Sequence, residues 1–189
     1  DGSLPQAAFR RYLVQDYLFL IQFARAWALA AYKSDTLAEM RAASAALGGI
    51  IDVEMKLHVS YCAEWGLSEA EMERQPEAAA TVAYTRYVFD CGMQGDLLDL
   101  QVALAPCIVG YGEIGARLLR PAPPAGNPYR AWIEMYGGEE SQAVAQAAIA
   151  ALDESAARRG GEARFARLSA IFAKASLLEA DFWQMALAD

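Results

Sequence analysis

Apolar residues recur every three to four positions through nearly every segment of the chain, rather than at every second one. That spacing follows the turn of a helix with one buried face, so the fold class read from it is all-α. The pattern predicts a first long helix from Pro5 to about Tyr32. A second, opened by Ser34 or Asp35, runs to about Trp65 and stops at Gly66. Ser68-Glu69-Ala70-Glu71 reads as a capping box opening a short helix that ends before Pro76, because the residue preceding a proline avoids the helical region. Further helices are predicted over Glu77 to Cys91, Asp96 to Leu119, Asn127 to Tyr136, Glu139 to Ala157 and Glu162 to Ala188. The proline-rich run from Pro121 to Gly126 is the clearest loop. Short connections between long helices favour antiparallel neighbours in a bundle.

The first helix breaks the one-face rule. Phe9, Tyr12, Leu13, Val14, Tyr17, Leu18, Phe19, Leu20, Ile21, Phe23 and Trp27 surround it almost completely, which suits a helix that is central, lines a pocket or meets another subunit. Asp16 lies on its aromatic face, four residues after Tyr12. A carboxylate there needs either an arginine at the helix edge, Arg11 or Arg25, or a ligand offering two donors. Glu179 repeats the situation in Leu177-Leu178-Glu179-Ala180-Asp181-Phe182-Trp183, where an apolar setting raises the carboxyl pKa and makes it a candidate general acid.

Cys107 follows Pro106 inside a predicted helix. The proline removes one backbone hydrogen bond, so a kink is expected that can expose the thiol, with Tyr111 on the same face to hydrogen-bond a thiolate or a ligand. The alternative for a helical cysteine is a buried, inert thiol. Glu54 and His58 stand four apart, but the chain has one histidine, so a structural hydrogen bond is the better reading than a metal ligand. A di-iron site would need two Glu-x-x-His copies. Tyr84 and Tyr87 suit either a core or ring stacking.

Composition narrows the partners. The chain has 189 residues, 56% of them hydrophobic, enough for one sizeable core and a single domain over residues 1–189. A formal charge of −8, with no basic run longer than Arg10-Arg11 or Arg158-Arg159, disfavours nucleic acid and anionic membrane. Three cysteines without CxxC spacing fit a reducing compartment, so a cytoplasmic location is expected. The opening Asp1-Gly2-Ser3-Leu4-Pro5 lacks the features of a signal peptide. Asp16, Gln22 and Arg25 interrupt the first apolar stretch, and no membrane span is expected.

Seven segments, taken in order, resemble the TenA (thiaminase II) family over essentially the whole chain. They are Asp1 to Pro5, Tyr12 to Tyr17, Glu54 to His58, Ala83-Tyr84-Thr85, Ala103 to Cys107 with Tyr111, Trp132-Ile133 with Tyr136-Gly137-Gly138, and Glu179 to Trp183. The resemblance implies a haem-oxygenase-like antiparallel helical bundle assembling as a homotetramer, with no metal, haem or other cofactor. It implies Cys107 as nucleophile, Glu179 as catalytic carboxylate and Asp16 as the group gripping an aminopyrimidine, with Tyr84, Tyr111, Tyr136 and Phe182 around the ring.

The implied activity belongs to thiamin salvage or degradation: hydrolytic release of 4-amino-5-hydroxymethyl-2-methylpyrimidine from aminomethyl-aminopyrimidine or thiamin. Two departures stand out. Phe19 occupies a position where the family often has a tyrosine, removing a hydroxyl that helps place the cysteine. Family members also usually carry one more helix before the Asp-Gly-Ser-Leu-Pro segment, with which this chain begins. A non-catalytic aminopyrimidine-binding or regulatory protein on the same fold is the alternative reading.

Overall fold

The computed structural model describes residues 1–120 and 122–187. Among these residues the chain forms an all-α bundle: α1 (Gln6–Lys33), α2 (Leu37–Gly49), α3 (Met55–Glu64), α4 (Glu69–Glu73), α5 (Ala79–Gln94), α6 (Leu97–Ala105), α7 (Tyr111–Leu119), α8 (Arg130–Gly137), α9 (Glu139–Arg158) and α10 (Gly161–Met185). Two π-helical turns, Ile50–Glu54 and Pro106–Gly110, join α2 to α3 and α6 to α7.

The two long helices predicted before Gly66 and over Asp96 to Leu119 are thus each continuous but carry one widened turn. In the first, the Met55 N–H reaches back to the Ile50 carbonyl, five residues away. In the second, Pro106 opens the turn, where its missing N–H is absorbed by the change of register instead of leaving a gap in the α ladder. The predicted kink takes this form. The end of α10 expected near Ala188 lies outside the described residues; α10 itself ends at Met185.

Side-chain capping fixes the starts of α2, α4 and α6. The N-cap of α2 is Thr36, not Ser34 or Asp35: its hydroxyl accepts from Glu39 N–H, and the Glu39 carboxylate accepts in return from the Thr36 N–H. Ser34 instead turns back to the Ala30 carbonyl. Ser68 and Glu71 make the capping box predicted for α4. Asp96 caps α6 by accepting from the N–H groups of Leu98 and Asp99.

Helix α1 runs through the middle of the bundle, packing on α2, α3, α4, α5 and α6, which is why its apolar side chains surround it. The stretch from Leu97 to Leu119 has the length and hydropathy of a membrane span, yet it packs against α5, α9 and α10 within the bundle. Helices α7 and α8 approach so closely that a side chain at Gly115 would overlap the Tyr136 backbone, and a methyl on Gly137 would stand 2.7 Å from the Gly115 carbonyl oxygen. That contact sets how far Tyr136 reaches into the interior.

Candidate active site

Side chains from eight parts of the bundle converge where α1 is most aromatic. Helix α1 supplies Tyr12, Asp16 and Phe19 at helical spacing. The π turn after α2 supplies Glu54 and α3 supplies His58. Tyr84 comes from α5, Cys107 from the second π turn, Tyr111 from α7, Trp132 and Tyr136 from α8, and Glu179, Phe182 and Trp183 from α10.

Asp16 is buried and pairs with neither Arg11 nor Arg25; the Arg25 guanidinium donates to Gln22 instead. Its Oδ2 accepts from the Tyr12 hydroxyl at 3.3 Å and lies 3.5 Å from Nδ1 of His58. Burial pushes the Asp16 carboxyl up to about 7, and the Tyr12 hydrogen bond offsets only part of that rise. The Tyr12 oxygen also accepts from Trp132 Nε1 at 3.3 Å, while its ring stacks on Trp183 with centroids 5.1 Å apart.

Glu179 occupies a similar setting on α10. Its Oε1 accepts from Trp183 Nε1 at 3.1 Å, and Oε2 is buried without a hydrogen-bond partner. Burial pushes its carboxyl up to about 7, the direction expected from its apolar helix face; Tyr84 and Trp183 pull the other way, and Asp16 adds to the rise. The Tyr84 hydroxyl is fully buried, likewise unpartnered, and sits beside Cys107 and Glu179.

Cys107 is half-buried and donates its S–H to the Leu104 carbonyl at 3.0 Å. Burial, and after it the Glu179 charge, push the thiol well above its ordinary range, with Tyr84 opposing. The resting group is a neutral thiol, and a reaction that needs the thiolate needs a base beside it. The hydroxyl facing the sulfur is that of Tyr84, whereas Tyr111 lies with Tyr12 and Glu179. The π turn begins just before Cys107, so the four-residue spacing to Tyr111 does not carry the face relation of a regular helix.

Aromatic rings close the site. Phe19 lies stacked against Tyr84 at 5.4 Å and tilted against Phe182 at 5.5 Å, and Tyr136 sits 5.0 Å from Tyr111 and 4.6 Å from Trp132. Every residue singled out from the sequence for the site is therefore in one cluster.

Glu54, His58, Tyr12, Trp132 and Trp183 belong to that cluster without having been singled out for it. His58 makes a structural hydrogen bond, with a different helix: Nε2 meets the Leu13 carbonyl at 3.0 Å, and its other nitrogen faces Asp16. Burial, with Asp16 adding to it, pushes Glu54 up to about 7, and Glu54 in turn acts on Cys107 and Tyr136. The widened turn between α2 and α3 hides this from helical-wheel reasoning. The available signal was the chain's single histidine, four residues after Glu54. A surface cavity of about 240 Å³ between α1 and α4, lined by Arg10, Arg11, Met72 and Gln75 among others, contains none of the cluster. Among the described residues no group of three His, Cys, Asp or Glu side chains is arranged to hold a metal ion.

The TENA/THI-4/PQQC family matches residues 1–189. The chain belongs to this family. An aminopyrimidine aminohydrolase of Halalkalibacterium halodurans is 39% identical over 187 residues, covering 98% of this chain and 83% of that protein. The aminopyrimidine aminohydrolase of Bacillus subtilis is 33% identical over 188 residues, covering 98% and 78%. Among solved structures, one described as a TenA family transcription regulator from Silicibacter sp. TM1040 superposes with a TM-score of 0.93 at 46% identity, covering 100% of this chain and 85% of that one. A TenA homologue from P. horikoshii gives 0.87 at 26% identity, covering 98% and 84%. The all-α bundle is thus a TENA/THI-4/PQQC-family fold, and the buried cluster lies in its interior.

Proposed function

We propose that the chain is an aminopyrimidine aminohydrolase (thiaminase II) of thiamin salvage, releasing 4-amino-5-hydroxymethyl-2-methylpyrimidine from aminomethyl-aminopyrimidine or thiamin. The observation that carries this reading is the meeting of Cys107 with two buried, unpartnered polar atoms, Glu179 Oε2 and the Tyr84 hydroxyl, inside an aromatic wall. Leaving such atoms unpaired is costly in a folded interior, and a ligand with matching donors and acceptors removes the cost. The names of the H. halodurans and B. subtilis relatives support the same substrate class.

In this mechanism the aminopyrimidine lies between the rings of Phe19, Tyr84, Tyr136 and Phe182, with Asp16 accepting from its N–H groups. Glu179, poised near neutral pH, takes the proton from the Cys107 thiol. The sulfur adds to the electron-poor ring, disrupting its aromaticity and expelling ammonia or thiazole from the adjacent methylene. Glu179 returns the proton to the departing amine, whereas thiazole leaves thiamin as a neutral base and the proton passes to solvent. Water then adds to the methylene carbon, its proton passing to Glu179. Loss of the sulfur restores the aromatic ring. The Trp183 indole N–H, donating to Oε1, holds the carboxyl in place between the two proton transfers.

The reading places the chain in a reducing, cytoplasmic compartment where Cys62, Cys91 and Cys107 remain free thiols. It also includes self-association as a homotetramer, supported by the exposed apolar side chains Ile51, Val53 and Leu57 along one stretch of the surface. A regulatory role of the kind named for the Silicibacter structure finds no basic surface run to support it. Incubating the protein separately with thiamin and with aminomethyl-aminopyrimidine, and following hydroxymethyl-aminopyrimidine by chromatography, tests the proposal. The ratio of the two rates names the preferred substrate, and saturable binding without turnover would replace the hydrolase by a binding protein.

A further inference from the structure

His58 is the chain's only histidine, and its two ring nitrogens face different kinds of group. Nε2 lies 3.0 Å from the Leu13 carbonyl oxygen, which only accepts, so Nε2 carries a proton. A neutral ring then turns a bare lone pair at Nδ1 toward Oδ2 of Asp16, 3.5 Å away, with both side chains 7% exposed. Two lone pairs facing each other in a buried site repel, so one proton belongs between them. Oδ2 also accepts from Tyr12, whereas Oδ1 accepts no hydrogen bond among the described residues and is the oxygen left for a ligand.

We propose that Asp16 and His58 form a proton-sharing pair that lets the aminopyrimidine bind without exchanging a proton with solvent. In the free protein the proton is on Asp16. When the N–H donors of the exocyclic amine reach Asp16, the Oδ2–H bond breaks and an Nδ1–H bond forms, leaving a carboxylate against the ligand and an imidazolium behind it. His58 is thus a positioning residue acting through Asp16, and the inference rests on the aminopyrimidine reading above.

The surroundings support the transfer. Glu54, from the π turn, faces both members of the pair; when ionised it opposes ionisation of Asp16 alone but favours a proton on His58. Tyr12 on α1, Tyr111 on α7, Tyr136 on α8, Glu179 on α10 and Cys62 on α3 are the other titratable groups coupled to Asp16. None of them is a cation. His58 is therefore the group placed to balance the Asp16 charge.

A single histidine makes the test direct. With 15N-labelled histidine, the free protein should give one protonated and one bare ring nitrogen, and saturation with 4-amino-5-hydroxymethyl-2-methylpyrimidine should convert both to the protonated type. In parallel, calorimetry compares the wild type with His58→Gln, whose amide still donates to Leu13 but cannot take a proton. Below pH 7 the ratio of wild-type to variant affinity should grow about tenfold per pH unit, because the variant must release the Asp16 proton to solvent. Histidine signals unchanged at saturation, or parallel affinity profiles for the two proteins, would overturn the inference while leaving the substrate reading intact. Absence of any binding to folded wild type would overturn both.

Discussion

A carboxyl in an aromatic interior is held ready for proton transfer at the expense of stability, and Glu179 shows both sides of that exchange. Its ordinary pKa is 4.5 and its folded value about 7. Between those values the unfolded chain loses a proton that the folded one keeps, so stability falls as pH rises through the window and stays reduced above it. Glu179→Gln should therefore stabilise the protein by on the order of 1–3 kcal/mol at pH 8, with the gain vanishing near pH 4. Turnover of the same variant should fall about 10²–10⁴-fold, the usual range for losing an acid–base group. Thermal melts at both pH values and steady-state rates check the pair of outcomes. Phe19→Tyr adds a hydroxyl beside Tyr84 and Phe182 and should change rate or substrate choice modestly; unchanged kinetics with both substrates would mark the position as neutral packing.

Much of this scale was legible in the sequence, because Asp16 and Glu179 are carboxylates on apolar helix faces and Cys107 follows a helix-breaking proline. Glu54 and His58 were seen as a pair but not as part of the site. Their partners, Asp16 and Leu13, come from another helix, and a helical wheel carries no information about which helix lies opposite.

Helices were legible to within a few residues because amphipathic spacing and capping chemistry are local. The π turns were not, since an inserted residue is invisible to a periodicity that continues on either side of it. The expected kink at Pro106 appears as such a turn, and it separates Cys107 from the regular register of Tyr111. Close packing between helices was also illegible in advance: the contact of Gly115 with Gly137 and the Tyr136 backbone exists only once α7 and α8 are placed against each other. Gly115→Ala should push α8 outward, costing about 1–3 kcal/mol in urea denaturation, as overpacked cores do. It should also weaken aminopyrimidine binding by displacing Tyr136. Unfolding and calorimetric titration of this one variant test whether the two effects are linked.

At the scale of the whole molecule, two sets of carboxyls act in opposite directions. Glu39, bound by Arg159 and Arg158 across α2 and the end of α9, is held down to about 2, as is Asp96 by Arg164 of α10. These groups stabilise the fold above their ordinary range and lose that contribution as pH falls toward 2. Asp16, Glu54 and Glu179, each near 7, remove stability as pH rises from about 4 to 7. Thermal stability should peak near pH 4 to 5, and the double variant Asp16→Asn, Glu179→Gln should flatten the decline above it. A melting-temperature series across pH would contradict this if the two proteins declined in parallel. The acidic surface and the all-α class followed from composition and periodicity, whereas the long-range ion pairs join residues 65 or more positions apart and are fixed only by the topology.

The central claim, hydrolysis at Cys107 of a bound aminopyrimidine, is tested most directly by measuring release of hydroxymethyl-aminopyrimidine from aminomethyl-aminopyrimidine with wild type and Cys107→Ala, each first shown to bind the pyrimidine. The account predicts turnover by the wild type and its loss in the variant with binding retained. Near-normal turnover by Cys107→Ala would contradict it.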